Sequence, residues 1–388
     1  MTRIVRISLA LALVGLLAGC QSVGGWFSRD KGDGPAALVD FSATHSVNRI
    51  WTANTGAGTN RSQPVLRPVA YQGNLWVADH RGRISSIDIA SGRVNSRFDT
   101  GLPISAGPSL VSDRILVGTF DGRVVALSAS SGDVQWEARS SSEVLSLPVA
   151  QDGIVVARSI DGRTFGLDAN SGRRVWVHDR SVPLLTLRGN SDPLVRAGQV
   201  FIGFDDGVVV ALRLSDGSLL WEQRVADAQG RTELDRLADI DGPMAIVGSE
   251  LYVVSYRGRM ASLALDSGRI LWVKDLASAS GLSVQRTQLA STDRDDAVWL
   301  VNRRDGSTVW RDDQLARRGV SRPLFISDLL VVSDNEGFLH FFDTASGRFA
   351  ARVRASRNRP IADPLVIGNE VFLLDENGVL SAWRLSSN

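Results

Sequence analysis

Short apolar runs rich in Val, Ile and Leu recur from about residue 46 to the end of the chain, each closed by Gly, Asp, Asn or Ser. Between residues 109 and 136 they fall at about Ser109–Val111, Ile115–Gly118, Val124–Leu127 and Val134–Trp136. Runs of this length bounded by turn formers predict β-strands. The Asp-Gly and Ser-Gly pairs between them supply positive-φ residues for tight turns joining antiparallel neighbours. A solenoid of helical pairs would need stretches of 3.6-residue period, and these are not found in the repeating region.

The runs are organised in a repeat. DGRVVALSASSGDVQW (121–136) is matched by DGRTFGLDANSGRRVW (161–176), DGVVVALRLSDGSLLW (206–221) and RGRMASLALDSGRILW (257–272). The first glycine of the unit recurs as Gly82, Gly122, Gly162, Gly207, Gly258, Gly337 and Gly378, with Asp296 in the sixth place. These eight units are spaced by 40, 40, 45, 51, 38, 41 and 41 residues. A second glycine lies ten residues on (Gly92, Gly132, Gly172, Gly217, Gly268, Gly306, Gly347), and a proline precedes most units by fourteen. The sixth unit lacks both the proline and the first glycine.

Four strands in about 40 residues define a β-propeller blade, so the chain is expected to be all-β, an eight-bladed propeller with four antiparallel strands per blade. The eighth unit runs out at Asn388 before its outer strand, and Asn48-Arg49-Ile50-Trp51 resembles the outer-strand sequence of 268–272. The N-terminal strand is therefore expected to close the ring and leave no open blade. Trp51, Trp136, Trp176, Trp221, Trp272 and Trp310 recur at the outer-strand position and are expected to pack against the next blade rather than stack on a ligand.

Composition sharpens this picture. At 388 residues, 44% hydrophobic and 22% charged, the chain is not a disordered protein. Such a length suggests two or three domains, but the repeat makes residues 46–388 one ring. Gly is abundant (37) and Pro is not (12), as recurring tight turns require. The net charge of +1 argues against nucleic acid as a partner. All but two of the 43 basic residues are Arg, the exceptions being Lys31 and Lys274, which reads as codon bias.

A single cysteine excludes a disulfide framework and any multi-cysteine metal site. His45, His80, His178 and His340 lie in different units without metal-ligand spacing, and no metal or cofactor is expected. There is no Gly-x-Ser-x-Gly elbow and no Walker A loop, and Gly56-x-Gly58 is followed by Arg61 where a dinucleotide fingerprint needs glycine. Most Asp residues sit in the repeat's turns, where they bond local backbone. No catalytic residue is assigned.

The N-terminus has Arg3 and Arg6, an apolar run from Leu9 to Leu17, and then Leu17-Ala18-Gly19-Cys20. The run is too short to span a membrane. It resembles the bacterial lipoprotein signal, which implies removal of residues 1–19 and diacylation of Cys20 as the mature N-terminus. Gln21, where Asp would imply inner-membrane retention, implies the periplasmic face of the outer membrane. Loss of residues 1–19 takes away two Arg and no acid, so the mature net charge is −1 and attachment would rest on lipid rather than a basic surface. Residues 20–45 read as a flexible tether of roughly 25–30 Å.

Two inter-blade connections break the regularity. Ser181–Ser191, SVPLLTLRGNS, places leucines where polar residues would be expected, which suggests a protein-binding patch or a plug beneath the loop. Ala226–Gly242, ADAQGRTELDRLADIDG, lies in the widest spacing, and insertions on one face of a repeat fold often carry binding.

The pattern ALxxxxGxxxW resembles the tryptophan motif of pyrroloquinoline-quinone dehydrogenases, but this chain cannot supply their adjacent cysteine pair. The signal, the tether, eight tryptophan-motif blades, LTLRG (185–189) and TELDRLADID (232–241) together resemble the BamB family, lipoprotein subunits of the outer-membrane β-barrel assembly (BAM) machinery. The resemblance covers the whole chain. It implies a non-enzymatic scaffold on the membrane that docks on the periplasmic domains of BamA through Leu185, Leu187, Arg188, Asp239 and Asp241. It also implies help to nascent outer-membrane proteins, for which strand addition at blade edges is one route. The alternatives are a quinoprotein enzyme and a propeller adaptor with another envelope partner.

Overall fold

A computed structural model describes residues 34–59, 66–183, 191–226 and 238–387. Among them, strands pair into eight four-stranded antiparallel sheets. In seven blades the strands are consecutive in the chain. Blade 3 is typical, with Val149–Gln151 innermost, then Ile154–Arg158, Thr164–Asp168 and Arg174–His178 at the rim. The two middle strands of each blade are buried almost throughout because another blade covers each face, hence their continuous apolar runs. The outer strands show more exposure on alternate residues.

The eighth blade is completed as expected. His45–Asn54 pairs antiparallel with Val379–Ser387, from His45 opposite Ser387 to Asn54 opposite Val379. The sixth blade is also complete despite its poor repeat. Asp296 takes the left-handed backbone of the missing glycine (φ 65°), and its carboxylate accepts the N–H groups of Gly319 and Val320 at 2.7 and 2.9 Å. The turn aspartates act on local backbone: Asp375 accepts from the N–H of Asn377 and of Val379, both at 3.0 Å.

The six recurrent tryptophans join blades. Each donates its indole N–H, at 2.7–3.1 Å, to a carbonyl in the outer turn of the next blade: Ile89, Ala169, Leu214, Leu265, Arg303 and Thr344 in order. Each ring also covers that turn's glycine. A Cβ added at Gly92, Gly172, Gly217, Gly268, Gly306 or Gly347 would lie 2.5–2.9 Å from ring atoms of the tryptophan. These glycines have φ between +68° and +73°, a conformation that side chains resist. Between blades 1 and 2 Phe98 takes the tryptophan's place on Gly132. A bulge precedes the tryptophan: Gly166 faces Trp176 while Leu167 faces Arg174, so one extra residue re-aims the ring toward the neighbour.

Of the tether expected over 20–45, residues 34–44 are described, and they lie along blade 7 as a strap. Ala36 N–H donates to Ala316 O (2.9 Å), and Thr44 N–H to Ala350 O (2.9 Å). Arg317, Arg318 and Arg352 donate to the carbonyls of Gly34, Ala36 and Val39, each at 2.8 Å. Leu38 and Phe41 pack on the core between blades 6 and 7, and the Phe41 and Phe349 rings are 5.4 Å apart. Beneath the strap His340 is fully buried, and burial lowers its pKa, so it is neutral. Its partners then fix the tautomer: Nε2–H donates to Asp334 (2.9 Å) and Nδ1 accepts from Arg352 (3.1 Å).

Trp51 joins the closing strand to blade 1, so Trp51→Ala is expected to destabilise the protein by about 3–5 kcal/mol. Gly217→Ala, with both clash and unfavourable φ, should cost about 2–4 kcal/mol. Chemical denaturation of both variants checks these values.

Candidate functional site

Every inter-blade connection runs from an outer strand to the next inner strand, so all lie on one face of the ring. Leu184, Leu185, Leu187 and Arg188 lie outside the described residues, as do Leu234, Asp235, Leu237 and Cys20. The described ends of the two irregular loops come together. Ser191 Oγ donates to Gly203 O at 2.9 Å and accepts Gly203 N–H at 3.1 Å. Ile240 N–H donates to the next carbonyl, Phe204 O, at 3.3 Å. Both loops thus re-enter the body at consecutive residues of blade 4.

Ile240 sets the direction of the second loop's end. Its side chain is fully buried with Phe201, Val225 and Val253. A Cβ on Gly203 would come within 2.8 Å of Ile240 Cβ, so glycine is what admits it. Asp239 is buried beside it, and its carbonyl accepts Tyr256 N–H at 2.8 Å. Asp241 is part-buried, and among the described residues neither carboxylate oxygen has a hydrogen-bond partner. It borders a cavity of about 240 Å³ at the axial mouth, with Arg67, Ser280, Asn335 and Asp363 on the same wall.

The charge beneath this site is supplied by a residue that the sequence reading passed over. Arg158 is fully buried, donates to Gly203 O (2.8 Å) and Asp205 (3.0 Å), and has its guanidinium 4.5 Å from the Phe204 ring centroid. Its signal was visible: Arg158 stands in an apolar run at the place held by Gly118 and Gly203 in the adjacent blades. Burial raises the pKa of Asp205, opposed by Arg158. Burial also pushes Asp241 up to about 8, with Asp205 and Asp239 adding to the effect and Arg158 opposing it. Asp205 and Asp241 are thus desolvated near the Arg158 guanidinium, and among the described residues the Asp241 carboxylate accepts no hydrogen bond, an arrangement that suits an incoming cation.

Ion pairs join the inner ends of the blades. Arg67 of blade 1 reaches Asp192 at the start of blade 4 (3.0 Å), and Asp192 also accepts Leu147 N–H (2.8 Å). Arg322 bonds Asp363 at 3.1 Å. All four residues immediately precede prolines, where the backbone is held extended at the inner end of a blade.

A closed propeller whose irregular features converge on one acidic spot of one face belongs with binding propellers. The structural likeness to quinohemoprotein alcohol dehydrogenase from Comamonas testosteroni, at 12% identity and TM-score 0.69 over 87% of this chain and 76% of that one, shows the fold alone. The family described as outer membrane protein assembly factor BamB matches residues 80–312 and 301–387, and the chain belongs to that family. Relatives of that name are 44% identical in Pseudomonas aeruginosa (98% of this chain, 97% of the relative) and 34% in Xanthomonas campestris (97% of each). A crystal structure of BamB from Moraxella catarrhalis superposes with TM-score 0.79 at 26% identity, covering 87% of this chain and all of that one. The relatives are assembly factors rather than enzymes, so the quinoprotein alternative is set aside.

Because the Asp241 pKa is raised in the folded state, its neutral form is stabilising. That contribution is whole below pH 4 and is lost as pH rises through about 8. Asp241→Asn is therefore expected to be more stable than wild type by about 1–3 kcal/mol at pH 8, with the gap shrinking toward pH 5. Melting temperatures of both proteins across this range give the test.

Proposed function

We propose that this chain is a non-catalytic adaptor for outer-membrane protein assembly, held at the periplasmic face of the outer membrane by lipid on Cys20 and docked on the periplasmic domains of BamA. The observation that carries the docking is the return of both irregular loops to Gly203 and Phe204, beside the Asp241 carboxylate, which has no hydrogen-bond partner among the described residues. Leu185 and Leu187 supply apolar anchors, and Arg188, Asp239 and Asp241 supply charge recognition. A basic side chain of the partner entering beside Asp241 would meet a desolvated acid and shift it to the ionised form.

The open blade edges support a second contact, with extended segments of nascent outer-membrane proteins. Val175 and Val177, Leu219 and Leu220, Ile270, Leu271 and Val273, and Val309 are 36–51% exposed on the outer strands of blades 3 to 6. An added strand would bond the free backbone edge and cover these side chains.

Co-purification with BamA periplasmic domains tests the docking. Asp241→Asn and Arg188→Ala are each expected to reduce recovery by about tenfold or more. The asparagine variant separates docking from folding, since it is the more stable protein. Wild-type recovery by both variants would refute the reading.

A further inference from the structure

The junction of blades 7 and 8 differs from the others. Blade 7 has Ala351 where six outer strands have tryptophan, and the outer strand of blade 8 comes from the N-terminal side, so no outer hairpin turn is there to receive one. A groove of about 610 Å³ lies at this seam, between the end of blade 7's outer strand (Phe349–Arg354), the connection after it, and the outer pair of blade 8. Arg49, Arg354 and Arg357 line it, with Thr52, Ser356 and Asn358.

The charge of the groove is uncompensated. All three arginines are exposed, and no described carboxylate lies within ion-pair distance of any of them. Among the described residues Arg354 meets the Phe338 ring, 5.4 Å from its guanidinium. The single acid on the wall, Asp375, is 2% exposed. Its oxygens are taken by Ser356 (2.8 Å), Asn358 (3.1 Å) and two backbone N–H groups. The groove therefore offers guanidinium forks and the Thr52 hydroxyl, with its one acid already satisfied, which matches a phosphate monoanion or diester.

The strap brings this groove to a membrane. It begins at Gly34, held by Arg317 in the connection from blade 6 to blade 7, on the same face as the connection from blade 7 to blade 8 that forms the groove. Fourteen residue steps separate Cys20 from Gly34, a reach of at most ~50 Å. We propose that the groove between blades 7 and 8 binds the phosphate of anionic glycerophospholipid headgroups and so fixes how the ring sits beneath its anchor. The proposal rests on the lipid-anchor reading for its choice of ligand source. A few arginines against an anionic surface bind weakly, about fivefold each, which orients a protein already tethered there.

The test uses residues 20–388 with Cys20→Ser, which contain all the described structure and carry no acyl chain. Flotation is measured at low salt with phosphatidylethanolamine–phosphatidylglycerol vesicles and with phosphatidylcholine vesicles. The chain is expected to float with the first and not with the second, and the double variant Arg49→Ala/Arg357→Ala to lose on the order of 20-fold in apparent affinity with an unchanged melting temperature. Absence of flotation, equal flotation with both vesicles, or equal binding by the folded double variant overturns the proposal. Calorimetry with inorganic phosphate distinguishes the other source: saturable binding of the free ion, lost in the double variant and competing with vesicles, would assign the groove to soluble phosphate. Since no acyl group is present, none of these results bears on the anchor. That reading fails separately if mass spectrometry of the native protein finds Cys20 unmodified.

Discussion

The joint on which the ring depends is a tryptophan laid over the next blade's turn glycine. It combines three requirements at one point: a large apolar surface to bury, an indole N–H that needs an acceptor, and a backbone turn that only glycine makes without strain. Trp176 meets all three at once, bonding Leu214 O at 2.7 Å and covering Gly217. A hydrophobic contact alone would let neighbouring blades slide. The hydrogen bond fixes the register, and the bulge before the tryptophan fixes the angle. Repeated around the ring, this joint makes successive inter-blade angles alike, which closure of a ring requires.

Where the joint is missing, other parts of the chain take over, and these places are where the molecule becomes individual. Between blades 7 and 8 there is neither tryptophan nor receiving turn, and the closing strand packs Val47 into the core those blades share, while the strap of residues 34–44, with its three arginine-held carbonyls, packs on the side of blade 7 that faces blade 6. Blades 3 to 5 keep their tryptophans but have enlarged connections, so their variation appears above the ring rather than within it. The scaffold is thus constant where blades meet and variable at the seam and on one face.

The repeat was legible because its signals are local: turn glycines ten apart, short apolar runs and one tryptophan per outer strand. Even Asp296 in a glycine's place was visible by alignment of the units, and the structure shows why it is tolerated, since its carboxylate caps the next connection. The strap was not legible. Leu38 and Phe41, with the exposed Val39 between them, stand in a stretch of small and polar residues, and only the surface of blade 7, more than 270 residues later in the chain, gives them somewhere to pack. At the candidate site Asp239 and Asp241 could be chosen by resemblance, but their environment could not, because Arg158 and Asp205 come from blades 3 and 4 and the charge balance exists only after folding. Leu185, Leu187 and Arg188 remain known by pattern and resemblance.

The outer edges show the same division between what is covered and what is left open. A free strand edge bearing exposed apolar residues invites unwanted pairing, and proteins generally blunt it with charge, proline or a covering segment. Blade 7 uses a covering segment, and its outer strand has Phe349, Ala350 and Ala351 buried. Blades 3 to 6 leave the edge open with valine, leucine and isoleucine outward. Charged residues are interspersed there, Arg174 in blade 3, Glu222 and Arg224 in blade 4, and Lys274 in blade 5, but no proline interrupts the strands. These charges are of both signs, and the backbone donors and acceptors of the edge stay available to an added extended chain. An edge built this way can receive an extended strand of alternating apolar and polar residues, the pattern of membrane-barrel segments, whose apolar side chains would cover those of the edge.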